Sequence, residues 1–161
     1  MRTRNRIAIR PTLLFILIML KLTELTADSA STDDVVTLPY ETRQKSRLLS
    51  QTDSGAKIGI FLPRGQMLSH GLILKGNDDY RVRVNAAAEL LSVVRTDDAL
   101  QFARACYHLG NRHIALQILP GELRFLTDHV LDQMLEGLGL TVTHESLPFE
   151  PEHGAYHGHG H

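Results

Sequence analysis

The last nine residues, His153-Gly154-Ala155-Tyr156-His157-Gly158-His159-Gly160-His161, hold four of the nine histidines. Imidazole is the side chain best suited to borderline divalent ions such as Ni²⁺, Cu²⁺ and Zn²⁺. Glycine between imidazoles lets a short tail wrap an ion at little steric cost. Such a tract reads as metal binding, and the alternatives are a solvated terminus or an expression tag. Spaced rather than contiguous histidines argue against a tag.

The richest internal stretch is Tyr107-His108-Leu109-Gly110-Asn111-Arg112-His113. His108 belongs to a last helical turn, where a cation suits the dipole; the reading favoured for it is a cap-region residue bonded to backbone. His113 is expected after a left-handed cap at Gly110-Asn111, opening the next strand with its side chain outward. Its residue type alone leaves ligand and structural roles evenly balanced. His129 lies on a later helix, on the polar face with Asp132, Gln133 and Glu136. His70 and His144 stand alone and read as structural. Cys106, beside Ala103 and Ala105, reads as a small core residue.

Enzyme signatures are missing. The chain has no Gly-x-Ser-x-Gly, no phosphate-cradling glycine loop and no His-Glu-x-x-His. One cysteine excludes an internal disulfide and a cysteine-based zinc site within a single subunit. Arg81 and Arg83 lack the aromatic platform of RNA readers. With a formal net charge of −1, no global field favours nucleic acid.

The elements that must position these residues fall into two groups. At 161 residues, 43% apolar and 22% charged, the chain suits one globular domain or two small ones. From Val35 to about Arg95 the pattern is β. Arg47–Gln51 and Lys57–Leu62 flank the turn Thr52-Asp53-Ser54-Gly55, and 71–75 and 80–84 flank Gly76-Asn77-Asp78-Asp79. Two hairpins predict a small antiparallel β domain made of two packed sheets. Strand Leu90–Val94 then leads to a helix capped by Thr96 or Asp97 and running to about Leu109. A strand Ile114–Leu119, an extended Glu122–Leu126, a helix from Thr127 to Gly137 or Gly139 and a strand Leu140–Leu147 follow. On the second helix Val130, Leu131, Met134, Leu135 and Leu138 make one stripe. This order is the ferredoxin-like βαββαβ split motif. The fold class is therefore α+β, with a flexible histidine-rich tail. Residues 19–88 form the β-rich unit, 89–150 the metal-binding unit and 151–161 the tail.

Residues 1–18 stand apart. Four arginines precede Leu13–Leu20, and Ala27-Asp28-Ser29-Ala30 follows. That is the pattern of a signal peptide, and the run is too short to span a membrane. The other reading is that translation starts at Met19. Composition does not choose between them.

Several stretches together closely resemble the UreE family of urease accessory proteins. They are Leu62-Pro63-Arg64-Gly65, Ala105 to His113, Leu116-Gln117-Ile118, Asp128-His129-Val130-Leu131-Asp132, Gly139 to Thr143 and Pro148-Phe149-Glu150-Pro151-Glu152. The resemblance covers about Met19 to His161. It implies a cytoplasmic homodimer without catalytic activity or membrane span, with an N-terminal domain of the peptide-binding type. It implies nickel delivery to urease through the accessory GTPase UreG and the urease assembly complex. His113 matches the family's metal ligand at the dimer interface, and His153, His157, His159 and His161 match its tail. Some members carry a His-x-His on the following helix; here it reads Thr127-Asp128-His129, so His129 is the one surviving imidazole. Ni²⁺ is the implied ion, with Zn²⁺ or Cu²⁺ able to bind. A histidine-tailed Ni/Zn storage protein is the alternative.

Overall fold

The structure, a computed structural model, describes residues 19–26, 31–76 and 78–153. Residues 1–18, with their two readings, lie outside them, as do His157, His159 and His161.

The first unit contains β1 (Leu20–Thr26), β2 (Asp34–Leu38), the single helical turn α1 (Tyr40–Arg43), β3 (Arg47–Gln51), β4 (Lys57–Phe61), β5 (Ile73–Gly76) and β6 (Arg81–Ala86). Both expected hairpins form. They do not make two antiparallel sheets, however. All six strands join one mixed sheet in the order β2-β6-β5-β1-β4-β3. The cause is β1, which reads in the sequence as the end of an apolar leader. It pairs parallel to β4 on one side and antiparallel to β5 on the other, welding the hairpins together. β2 is likewise parallel to β6.

The sheet curls on itself. Asp53 N, in the β3–β4 turn, donates to Val35 O of the far edge strand at 2.8 Å, and Thr37 Oγ1 donates to Asp53 at 2.7 Å. The curl encloses Leu22, Val36, Ile58, Ile60, Leu74, Val82 and Val84, all fully buried. Alternation along β6, with Val82 and Val84 inward and Arg83 outward, matches the period of two.

The second unit runs β7 (Ala88–Arg95), α2 (Ala99–Gly110), β8 (Gln117–Leu119), β9 (Glu122–Leu126), α3 (His129–Gly137) and β10 (Val142–Pro148). Its sheet order is β10-β7-β9-β8, every pair antiparallel. That is the order of the split βαββαβ motif. Val94, Leu123 and Phe125 face the helices and meet Ala105, Leu109, Leu131 and Leu135. On the opposite face Leu91 and Val93 pack with Phe149, and Tyr40 of α1 meets Phe149 edge-on at 5.2 Å. Among the described residues no helix is long and apolar enough to cross a membrane.

Three local expectations change. The cap of α2 is Asp98, whose carboxylate accepts from Leu100 N at 2.9 Å and Gln101 N at 3.1 Å. Thr96 Oγ1 instead accepts from Asp98 N. On α3, Val130 is 56% exposed rather than part of the buried stripe. Asp132, expected on the polar face, is buried. Periodicity alone misplaces both: the buried side of α3 carries Leu131, Asp132 and Leu135, with Asp132 turned toward His144 of β10 and Val130 left outside.

Candidate metal centre

α2 does not end in a left-handed Gly110 or Asn111. Asn111 is right-handed at φ −61°, and the residue with positive φ is His113, at +53°. The turn closes through Arg112 N to Leu109 O at 3.1 Å and His113 N to Gly110 O at 3.0 Å. Arg112 Nη1 donates to His108 O at 2.9 Å, capping the exposed carbonyls. Asparagine would fit the left-handed position with little strain, yet histidine occupies it. The consequence is that His113 is exposed on a tight turn, and β8 begins only at Gln117. Strained non-glycine positions held by their surroundings cluster at binding sites.

His129 is the first residue of α3 and is exposed. Asp128 caps that helix, accepting from Val130 N at 2.8 Å and Leu131 N at 3.2 Å. Thr127 turns away, its hydroxyl donating to Leu90 O at 3.2 Å. α2 runs back along the sheet from the end of β7, so its C-terminus lies at the end where β7 starts. β9 finishes and α3 starts there as well, since Leu91 pairs with Leu126. His113 and His129 therefore share one end of this unit. The same end exposes Leu90, Leu126, Val130 and Tyr107, at 59%, 42%, 56% and 66%. Sequence reading did not group these apolar residues; only the pairing of β7 with β9 brings them together.

The other histidines separate cleanly. The His108 ring meets Tyr107 edge-on at 5.3 Å instead of bonding to backbone. His70 Nδ1 accepts from Ala86 N at 3.1 Å, a structural contact. His144 does not stand alone: its Nε2 lies 2.8 Å from Asp132 Oδ2. Nothing in the spacing of residues twelve apart on different elements signals that contact. His153 is exposed at the rim of a groove of about 550 Å³ lined also by Tyr40, Gln44, Met67, Ser69 and Glu152. Burial pushes the Cys106 thiol up, which disfavours the thiolate a metal needs. Among the described residues no three His, Cys, Asp or Glu side chains cluster closely enough to hold an ion.

Residues 18–87 match the family model described as UreE urease accessory protein, N-terminal domain, and residues 89–161 match the corresponding C-terminal domain. The chain is 56% identical over 140 residues to the urease accessory protein UreE of Alkalilimnicola ehrlichii, covering 87% of this chain and 86% of that protein. It is 50% identical over 148 residues to the UreE of Escherichia coli O157:H7, covering 89% and 96%. Against the UreE of Pseudomonas putida it is 54% identical over 129 residues, covering 78% of each chain. An exposed imidazole on a strained turn, the His-rich terminus and these matches agree: the chain belongs to the UreE family, urease accessory proteins rather than enzymes.

Proposed function

We propose that this protein is a nickel-binding metallochaperone that delivers Ni²⁺ for assembly of the urease active site, as a cytoplasmic homodimer with UreG as acceptor. The observation that carries the reading is His113, exposed on its left-handed turn at the end of the unit that also exposes Leu90, Leu126, Val130 and Tyr107. One imidazole per subunit is far too few for an ion. A twofold axis near Tyr107, Leu90 and Val130 would bury that apolar surface and bring two His113 rings together. Tail histidines His153, His157, His159 and His161 would complete the shell. A shell with two fixed and several loose imidazoles binds nickel yet lets an acceptor dismantle it, unlike a closed structural site. His129, at the same end, would serve as an auxiliary donor rather than an essential ligand. Zn²⁺ and Cu²⁺ compete for the same donors. The cytoplasmic assignment draws support from β1: cleavage after Ala30 would remove a strand from the middle of the first sheet.

The test is calorimetric titration of the dimer with Ni²⁺, with transfer to purified UreG followed by gel filtration. His113→Ala removes two imidazoles from one ion. The tightest site should vanish while weaker tail binding and the dimer persist. A tight site that survives His113→Ala, or nickel never recovered with UreG, would overturn the reading.

A further inference from the structure

A second cluster in the C-terminal unit holds buried polar atoms without hydrogen-bond partners. Asp132, in the first turn of α3, is 7% exposed. Its Oδ2 accepts from His144 Nε2, and its Oδ1 is buried without a hydrogen-bond partner. A carboxylate taken out of water with a single hydrogen-bond donor is poorly compensated. Directly across from His144 on β7 sits Ser92, fully buried, its hydroxyl also without a partner. Ser92 pairs on its other side with Phe125, which faces the helices. Both unmet polar groups thus lie on the α3 side of the sheet. His144 is on the edge strand β10 with its side chain half exposed, so the pair has a route to solvent.

We propose that Asp132 and His144 form an accessory divalent-cation site, separate from the His113 interface. The ion takes the place of the hydrogen bond between Nε2 and Oδ2; the proton on Nε2 passes to Nδ1, or to water from a doubly protonated ring, so the imidazole binds as a neutral ligand and the carboxylate charge is compensated. The observed 2.8 Å separation is close to what the exchange needs. With bonds of ~2.1 Å, a right-angle ligand pair is ~3.0 Å apart and a tetrahedral pair ~3.4 Å. The pair therefore favours ions of octahedral or square geometry, Ni²⁺ and Cu²⁺, over Zn²⁺. No third protein donor is in range among the described residues, so water fills the remaining positions. Such a site binds weakly and exchanges fast, as a loading point on a carrier should.

The proposal stands without the interface reading, and its test removes the interface donors. In the full-length chain, His113, His153, His157, His159 and His161 are replaced by alanine, and Ni²⁺ alone is titrated by calorimetry. One residual ion per subunit is expected, and a separate titration with Zn²⁺ alone should show weaker binding. Asp132→Asn, which keeps the shape and removes the charge, should weaken it at least tenfold. His144→Gln should do the same with thermal unfolding of the apo protein unchanged, because the side chain is half exposed. If Asp132→Asn fails to fold, His144→Gln decides alone. His129→Ala should leave the residual ion in place. No residual ion, an ion that survives His144→Gln, or one lost with His129→Ala overturns the proposal.

Discussion

Arg43 and Glu150 meet across the boundary between the two sheets. Arg43 is fully buried at the end of α1, and Glu150 follows β10. The same guanidinium donates to the carbonyls of Leu38 at 3.1 Å, of Leu68 at 3.3 Å and of Phe149. Glu150 also accepts from His70 N at 3.2 Å. The planar fork of arginine suits this set, and lysine could not fill it.

Breaking the pair should be expensive because it strands a buried charge. Glu150 is partly exposed, so Glu150→Gln should lower unfolding free energy by about 1–3 kcal/mol, in the range for a hydrogen bond to a charged group. Arg43→Lys should cost more, about 3 kcal/mol or above, since it also frees buried carbonyls. Urea unfolding measures both. A loss below about 0.5 kcal/mol for Arg43→Lys would show that the contacts hold nothing.

β1 leads to a second prediction. Leu22 is fully buried at the sheet centre, between β4 and β5. A chain beginning at Ser31 should lose the cooperative unfolding of the first unit, because both hairpins are left with open inner edges. Calorimetry and hydrogen exchange at Ile58 and Leu74 would follow it. Retained protection there would remove the structural objection to cleavage near Ala30.

What the sequence reveals depends on whether the information is local. The two hairpins announce themselves by turn residues four long, and the βαββαβ order by a change of period near Ala86. β1 was hidden because its leucines continue the apolar run Leu13–Leu20, and pairing partners more than thirty residues away decide its place. The joining of both hairpins into one sheet follows from that strand, and its second parallel pair from β2 beside β6. His113 reads from the sequence as an outward residue beyond α2, but residue preference puts the left-handed backbone at Gly110-Asn111, whereas it falls on His113 itself. Composition could not show that the turn delays the reversal by two residues. The burial of Asp132 is a tertiary fact, set by how α3 leans on β10.

Acid should loosen the protein through two carboxylates. The Ser54 and Thr52 hydroxyls hold Asp34 at about 2, and Arg95 holds Glu145 at about 2. Their ordinary values are 3.8 and 4.5. Depressed folded-state values contribute stability that is fully present above the ordinary values and lost as pH falls toward 2. Thermal midpoints should therefore drop between about pH 4.5 and pH 2. Arg95→Met should flatten the part due to Glu145, while Arg83→Met, on the exposed side of β6, should leave the profile as it is. Identical profiles for wild type and Arg95→Met would disprove the assignment.

The last prediction separates fold from metal at His113. A side chain at φ +53° carries a left-handed penalty on the order of 1 kcal/mol that glycine escapes. Glycine also gains freedom in the unfolded chain, which offsets part of the relief. His113→Gly should thus leave stability unchanged or raise it by up to about 1 kcal/mol, while the tightest nickel site disappears. His113→Asn should behave the same way, because asparagine tolerates the left-handed region but is a poor nickel ligand. His108→Ala should do the reverse, changing stability through its contact with Tyr107 and sparing the metal. Urea unfolding of the metal-free protein and nickel calorimetry give the two readouts. A His113→Gly protein destabilised by more than about 1 kcal/mol would mean that the ring is held for packing. A His113→Gly protein that keeps its tight site would mean that the ion sits elsewhere.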